Sequence, residues 1–233
     1  MVKSIFINFF FITVILLVLT LPKRAQSENS TLQYISEIIF RNNQYLILDT
    51  RPIEKCKTQS LIGAHCLPAG DFLGPHGRLA SFADIAWILG SAGLTGQESV
   101  LVVGKDPIKR DFVAGLIHIM GQARVTVLSK SLNLVKGSKG SGEERADTRT
   151  AIWQAIARDR TIVFKQEIRN LLKSFPRQIF IDGRPEESYW GETITASRGG
   201  HIPGADHLPA QQLRTNVIKG RALGPAVKNS IVY

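Results

Sequence analysis

Gln44-Tyr45-Leu46-Ile47-Leu48-Asp49-Thr50 is the stretch that decides the fold. It is a short apolar run with β-branched character that ends in a turn. The same shape recurs as Gln178-Ile179-Phe180-Ile181-Asp182-Gly183. Each run leads into one cluster: Asp49, Arg51 and Pro52 in the first copy, Asp182, Arg184 and Pro185 in the second. Each cluster precedes a second matched element, Gly63-Ala64-His65-Cys66-Leu67-Pro68 and then Gly204-Ala205-Asp206-His207-Leu208-Pro209. Two separate matches in the same order indicate duplicated domains.

Outward from these repeats, strands and helices alternate. Phe82 to Leu94 has helical spacing, with Phe82, Ile85, Ala86 and Leu89 on one face. Val100 to Val103 is a continuous apolar run, as expected of a strand buried on both faces. Arg110 to Met120 returns to helical spacing, and Val125 to Leu128 is strand-like. Such alternation predicts an α/β fold with parallel sheets covered by helices. Between the copies, Lys136 to Arg149 is rich in Gly, Ser and charge and reads as a flexible linker. Ala151 to Leu172 has room for one or two helices that lead into the second copy.

The chain of 233 residues has room for one large or two small domains. Its 44% hydrophobic and 21% charged residues exclude a disordered or fibrous protein. The net charge of +10 favours anionic substrates, phosphates or membrane surfaces without choosing among them. Basic residues are scattered without aromatic interleaving, so no nucleic-acid partner is expected.

At the N-terminus, Lys3 precedes an apolar stretch from Ile5 to Leu21, broken by Pro22-Lys23-Arg24. Ala25-Gln26-Ser27 supplies small residues suited to signal-peptide cleavage. Residues 1–27 read as a cleaved signal peptide, with an uncleaved membrane anchor as the alternative. The flanking charges do not separate these. Either way the remainder is exported, to a periplasmic or extracellular location. Cys56 and Cys66 can pair in such a compartment or stay separate thiols. Their spacing fits no zinc pattern, and neither a metal nor a cofactor is expected.

In the second copy, Gly200-His201-Ile202-Pro203-Gly204-Ala205 follows the Asp-Gly-Arg-Pro turn. Together these resemble the entry signature of the rhodanese family, an Asp-x-Arg turn before a Gly-His-Ile-Pro-Gly-Ala loop. The first copy keeps a worn version, Ser60-Leu61-Ile62-Gly63-Ala64. The resemblance spans about Gln44 to Leu132 and Ile162 to Tyr233. It implies a tandem thiosulfate or 3-mercaptopyruvate sulfurtransferase-like protein. The expected division is a first, inactive domain at 31–135, a linker at 136–161 and a second domain at 162–233, truncated before its active-site loop. Asp49, Arg51, Asp182, Arg184, Gly200, His201 and Gly204 read as structural before catalytic, since a carboxylate and an Arg two residues apart fix a turn.

The resemblance further implies ping-pong chemistry. Sulfane sulfur passes from thiosulfate to a cysteine as a persulfide, then to a thiol or cyanide acceptor. The family keeps that cysteine in the loop after the central strand, in a cradle of backbone amides that favours negative charge. In the first copy Gly104 stands at that position, with Lys105, Lys109 and Arg110 nearby. In the second, Ser230-Ile231-Val232-Tyr233 resembles the central strand, so the nucleophile is expected directly after Tyr233. A stop or selenocysteine codon there would account for the register. Neither copy therefore offers a catalytic cysteine. Arg184, Arg110 and Lys105 are the candidate substrate contacts, and Cys56 and Cys66 read as structural. The alternatives are a non-catalytic exported module that binds an anion or a protein partner, and a degraded gene product. A membrane partner is expected only if the N-terminal segment is uncleaved.

Overall fold

The computed structural model describes residues 31–37, 45–130, 139–175, 178–194, 197–218 and 230–232. The expected signal peptide or anchor and Tyr233 lie outside the described residues. Among those described, no helix is long and apolar enough to cross a membrane. In chain order the elements are β1 (Thr31–Ile35), β2 (Leu46–Asp49), α1 (Ile53–Thr58), β3 (Ser60–Leu61), β4 (Ala64–Cys66) and α2 (Phe82–Ser91). Then come β5 (Ser99–Val103), α3 (Pro107–Ile119), β6 (Arg124–Leu128), β7 (Lys139–Gly140), β8 (Glu143–Glu144) and α4 (Lys165–Ser174). The last are β9 (Phe180–Asp182), α5 (Glu186–Trp190), β10 (Asp206–His207), α6 (Ala210–Ile218) and β11 (Ile231–Val232).

The larger sheet runs β1-β6-β5-β2-β4-β8, and every pairing in it is parallel. Its continuous apolar strands bury both faces, as their sequences predict. Leu48, Val100, Val102, Val125 and Val127 point to one face, against Ile85 and Leu89 of α2 and Val113 and Ile117 of α3. Ile47, Leu101, Val103 and Leu128 point to the other, with Leu61 and Ala64. Each such side chain stabilises the fold by about 1.5–3 kcal/mol on burial.

Both helices have legible starts. Ser81 Oγ accepts from Asp84 N at 3.1 Å at the head of α2. Asp106 caps α3, accepting from Ile108 N at 2.9 Å, and Pro107 takes the first helical position, where no amide is needed. So α3 begins three residues before the apolar spacing suggests.

Residues 139–161, within the linker expected at 136–161 and including most of its flexible-looking part up to Arg149, form a strap along the larger sheet and its helices. Glu143 and Glu144 pair with His65 and Cys66 as the sheet's edge strand. Further along, Ala146 N donates to Ser91 O at 3.1 Å, Gln154 N to Thr95 O at 2.8 Å and Arg158 N to Ile119 O at 2.7 Å. Trp153 packs against the core and donates Nε1–H to Met120 O at 3.2 Å. The glycines here serve close approach. A Cβ on Gly142 would overlap both Cys56 Sγ and Cys66 Sγ.

The strap also caps α3. The Arg158 guanidinium donates to His118 O and, at 3.0 Å, to Gln122 O. Partial burial, and then the Arg158 charge, hold the His118 imidazole below its ordinary 6.5. The fold thus takes up fewer protons than the unfolded chain once the pH falls below that value. The contribution is complete above pH 6.5 and is lost as the pH drops through it. We expect the urea midpoint to fall between about pH 7.5 and 5, and His118→Gln to flatten that slope. Urea titrations at several pH values will measure it.

The smaller sheet is β10-β9-β11, also parallel. Arg214 of α6 reaches from this half to Asp111 of α3, with Nε donating to Oδ2 at 2.6 Å.

Candidate functional site

The two Asp-x-Arg turns have one geometry. Asp49 ends β2 fully buried, so its carboxylate needs partners. Its Oδ1 accepts from Arg51 N at 3.0 Å, and Arg51 Nη2 meets Oδ2 at 2.6 Å. Asp182, equally buried at the end of β9, accepts from Arg184 N at 2.9 Å and from Arg184 Nη2 at 2.6 Å. Each arginine then donates to the carbonyl that opens the next matched loop, Gln59 O in the first copy and Gly200 O in the second. Gly63 and Gly204 turn these loops at φ 73° and 81°, a region that favours glycine. Each loop closes back on its strand: Leu67 N donates to Asp49 O at 2.9 Å, Leu208 N to Asp182 O at 3.0 Å. His201 is fixed as well, with Nδ1 3.0 Å from Tyr189 O and its ring stacked 3.8 Å from the Tyr189 ring. Arg184 is thereby engaged with Asp182 and Gly200.

At the carboxyl ends of β2 and β5 lies a crevice of about 700 Å³, lined by Thr50, Arg51, Pro52, Lys55, Thr58, Gln59, Lys105, Asp106 and Lys109. Lys105 and Lys109 flank the head of α3, and Lys55 comes from α1. Lys55, Thr58 and Gln59 escaped the sequence reading. Their signal was the helical spacing after the Asp-x-Arg-Pro turn, which returns these three positions to one face. Arg110 is not in the crevice. It is 1% exposed, and its Nε and Nη2 both donate to Asp111 Oδ1 at 3.1 Å.

Gly104 sits against Thr50 and is not among the residues lining the crevice. A Cβ there would overlap Thr50 Oγ1, whose hydroxyl donates to Val103 O at 3.1 Å. The first copy thus has no room for a thiol at this position. Gly104→Cys is expected to destabilise the fold by about 1–3 kcal/mol through overpacking. Adding Thr50→Ala should recover part of the loss, as thermal melts of both variants will report.

A second crevice, of about 550 Å³, is lined by Pro185, Glu186, Glu187, Pro209, Gln211, Gln212, Thr215 and Asn216. Of these only Pro185 matches a residue of the first crevice, Pro52, and the carboxylates Glu186 and Glu187 match Ile53 and Glu54. Strand register relates the copies further. Leu101 and Val102 pair with Ile47 and Leu48, and Ile231 and Val232 pair with Phe180 and Ile181. By count, Tyr233 matches Val103.

Cys56 of α1 and Cys66 of β4 form a disulfide, both residues fully buried. Neither is a free thiol, and neither lines the crevice. Among the described residues, no group of His, Cys, Asp and Glu could hold a metal ion.

No family model matches the chain. A curated relative from Synechococcus elongatus, named "Putative thiosulfate sulfurtransferase", is 27% identical over 201 residues. Those residues are 81% of this chain and 61% of the relative, so the chain spans under two thirds of that protein's length. Among solved structures, a "Probable Thiosulfate Sulfurtransferase" aligns with a TM-score of 0.56 at 20% identity, covering 80% of each chain. An anaerobic ergothioneine biosynthesis enzyme from Chlorobium limicola, bound to trimethyl histidine, aligns at 0.59 and 17% identity. That match covers 73% of this chain and 46% of the enzyme. Identities this low speak to architecture: the chain has the α/β fold of rhodanese-like sulfurtransferases, with a parallel sheet flanked by helices.

Proposed function

We propose that the chain is a rhodanese-type sulfurtransferase homologue with tandem domains, and that its 233 residues carry the scaffold without the nucleophile. The observation that carries this reading is the shared register of the two copies. It supports a reading in which the nucleophile position falls at Gly104 in the first copy and directly after Tyr233 in the second. The disulfide supports it, since it withdraws both cysteines from chemistry. It also supports an exported, periplasmic or extracellular setting, because such bonds persist in oxidising compartments.

In the proposed reaction a thiolate attacks the sulfane sulfur of thiosulfate. A new S–S bond forms, the original one breaks, and sulfite leaves with its electron pair. Cyanide or a thiol then attacks the outer sulfur of the persulfide, which regenerates the thiolate. A non-catalytic exported module is the second reading, favoured by the lysines of the first crevice.

The test uses the 233-residue protein with thiosulfate, followed by cyanide. No mass increase of one sulfur atom and no thiocyanate are expected. A cyanolysable persulfide on this chain would overturn the assignment. The in-frame codon after Tyr233 tests the other half: neither a cysteine nor a selenocysteine codon there would leave the binding-module reading in its place.

A further inference from the structure

The crevice of the first copy has three properties that together define a ligand. It lies at the topological switch point of the larger sheet. From β2 the chain passes through α1 to β4 on one side, and from β5 through α3 to β6 on the other. In open α/β sheets this divergence opens a cleft at the strands' carboxyl ends, where ligands bind. Its charge is also unbalanced. Arg51 is spent on Asp49 at 2.6 Å, whereas Lys55, Lys105 and Lys109 form no ion pair among the described residues. The one carboxylate on the wall other than that paired beneath Arg51 is Asp106, turned into its own helix to accept from Ile108 N at 2.9 Å. Three ammonium groups against one carboxylate leave room for about two negative charges on a ligand.

Size is the third property. At about 700 Å³ the crevice falls in the range of sites for small organic molecules, roughly 300–1,000 Å³. Thiosulfate, with five heavy atoms, would fill a small part of it. Thr50, Thr58 and Gln59 add polar atoms to the wall. No thiol faces the space, and Gly104 has no room for one.

We propose that this crevice binds an organic dianion, a phosphate or sulfonate monoester of a small molecule, and holds it without reaction. Lys105 and Lys109 take the anionic group at the head of α3, and Lys55 closes on it from α1. The inference stands on the crevice alone and does not require sulfur transfer.

Calorimetric titration of the 233-residue protein at low ionic strength, with glucose 6-phosphate and AMP as probes, tests it. Phosphate monoesters are close to dianionic at pH 7.5. Sulfate and thiosulfate report charge without the organic part, and glucose reports the organic part without charge. At least one monoester should bind with one-to-one stoichiometry about tenfold or more tighter than sulfate, and glucose should not bind. Lys55→Ala, Lys105→Ala and Lys109→Ala should each weaken binding by about three- to tenfold with unchanged circular dichroism. Lys165→Ala, on the exposed side of α4, should leave it unchanged. Equal affinity for sulfate and the monoesters, or equal losses in Lys165→Ala, would overturn the proposal. Persulfide formation is read in a separate assay, so either idea can fail without the other.

Discussion

Asp111→Ala is expected to destabilise the protein by about 3–5 kcal/mol, the penalty for leaving a buried charge without its partner. Asp111 joins three elements. Its Oδ1 accepts both donors of Arg110, its Oδ2 accepts Arg214 Nε at 2.6 Å, and its charge acts on the Tyr34 hydroxyl of β1. Arg110 decides the magnitude. With only 1% exposure, its remaining partner is the Ser129 carbonyl at 3.4 Å. Arg214 is partly solvated and adds less. The melting temperature should fall by about 10 °C. Replacing both members, as in Arg110→Met with Asp111→Leu, should recover most of the loss, because no buried charge then remains unpaired and Arg214 is partly solvated. If Asp111→Ala melts within a few degrees of the parent, the carboxylate is not what holds these elements together.

The same cluster sets an alkaline limit. Burial first, and then the Asp111 charge, push the Tyr34 hydroxyl up to about 12 from 10.0. The folded state keeps a proton that the unfolded chain releases. The contribution is complete below pH 10 and lost as the pH rises from there to about 12. Tyr34→Phe should remove that loss.

How far the sequence led depends on whether a signal was local. The strands β2, β5 and β9 were legible because apolar runs closed by Asp, or in β5 by Gly104, announce themselves within a few residues. The duplicated turns were legible too, and their distances agree within 0.1 Å across the copies. The start of α3 is encoded in Asp106-Pro107, whereas the apolar spacing begins only at Arg110. Arg110 itself looked like an anion ligand by its distance from Gly104. Its partner, Asp111, is the adjacent residue, and only the packing of β1 and α6 around the pair makes it an anchor. The strap was the least legible. Glu143 and Glu144 carry no strand pattern, and the hydrogen bonds that hold them lie in β4, more than 70 positions away. Gly and Ser are read as flexible on average, yet Gly142 is there because nothing larger fits.

That glycine and the disulfide beneath it yield the second large effect. Replacing Cys56 and Cys66 together by Ala should cost about 3 kcal/mol, as expected for opening a closed loop of this length in the unfolded chain. Gly142→Ala alone should also destabilise the protein, since its Cβ would overlap both sulfurs and lie 3.0 Å from Cys56 O. The strap would have to lift, breaking the bond from Gly142 N to Cys56 O and straining the pairing of β8 with β4. In the double-alanine background the sulfurs are gone, and the same substitution finds space. The two changes should therefore couple by about 1–3 kcal/mol, far outside additivity. Urea unfolding of the parent, Gly142→Ala, Cys56→Ala/Cys66→Ala and the triple variant closes the cycle. Additive losses would mean that the strap rests on the sheet and not on the disulfide.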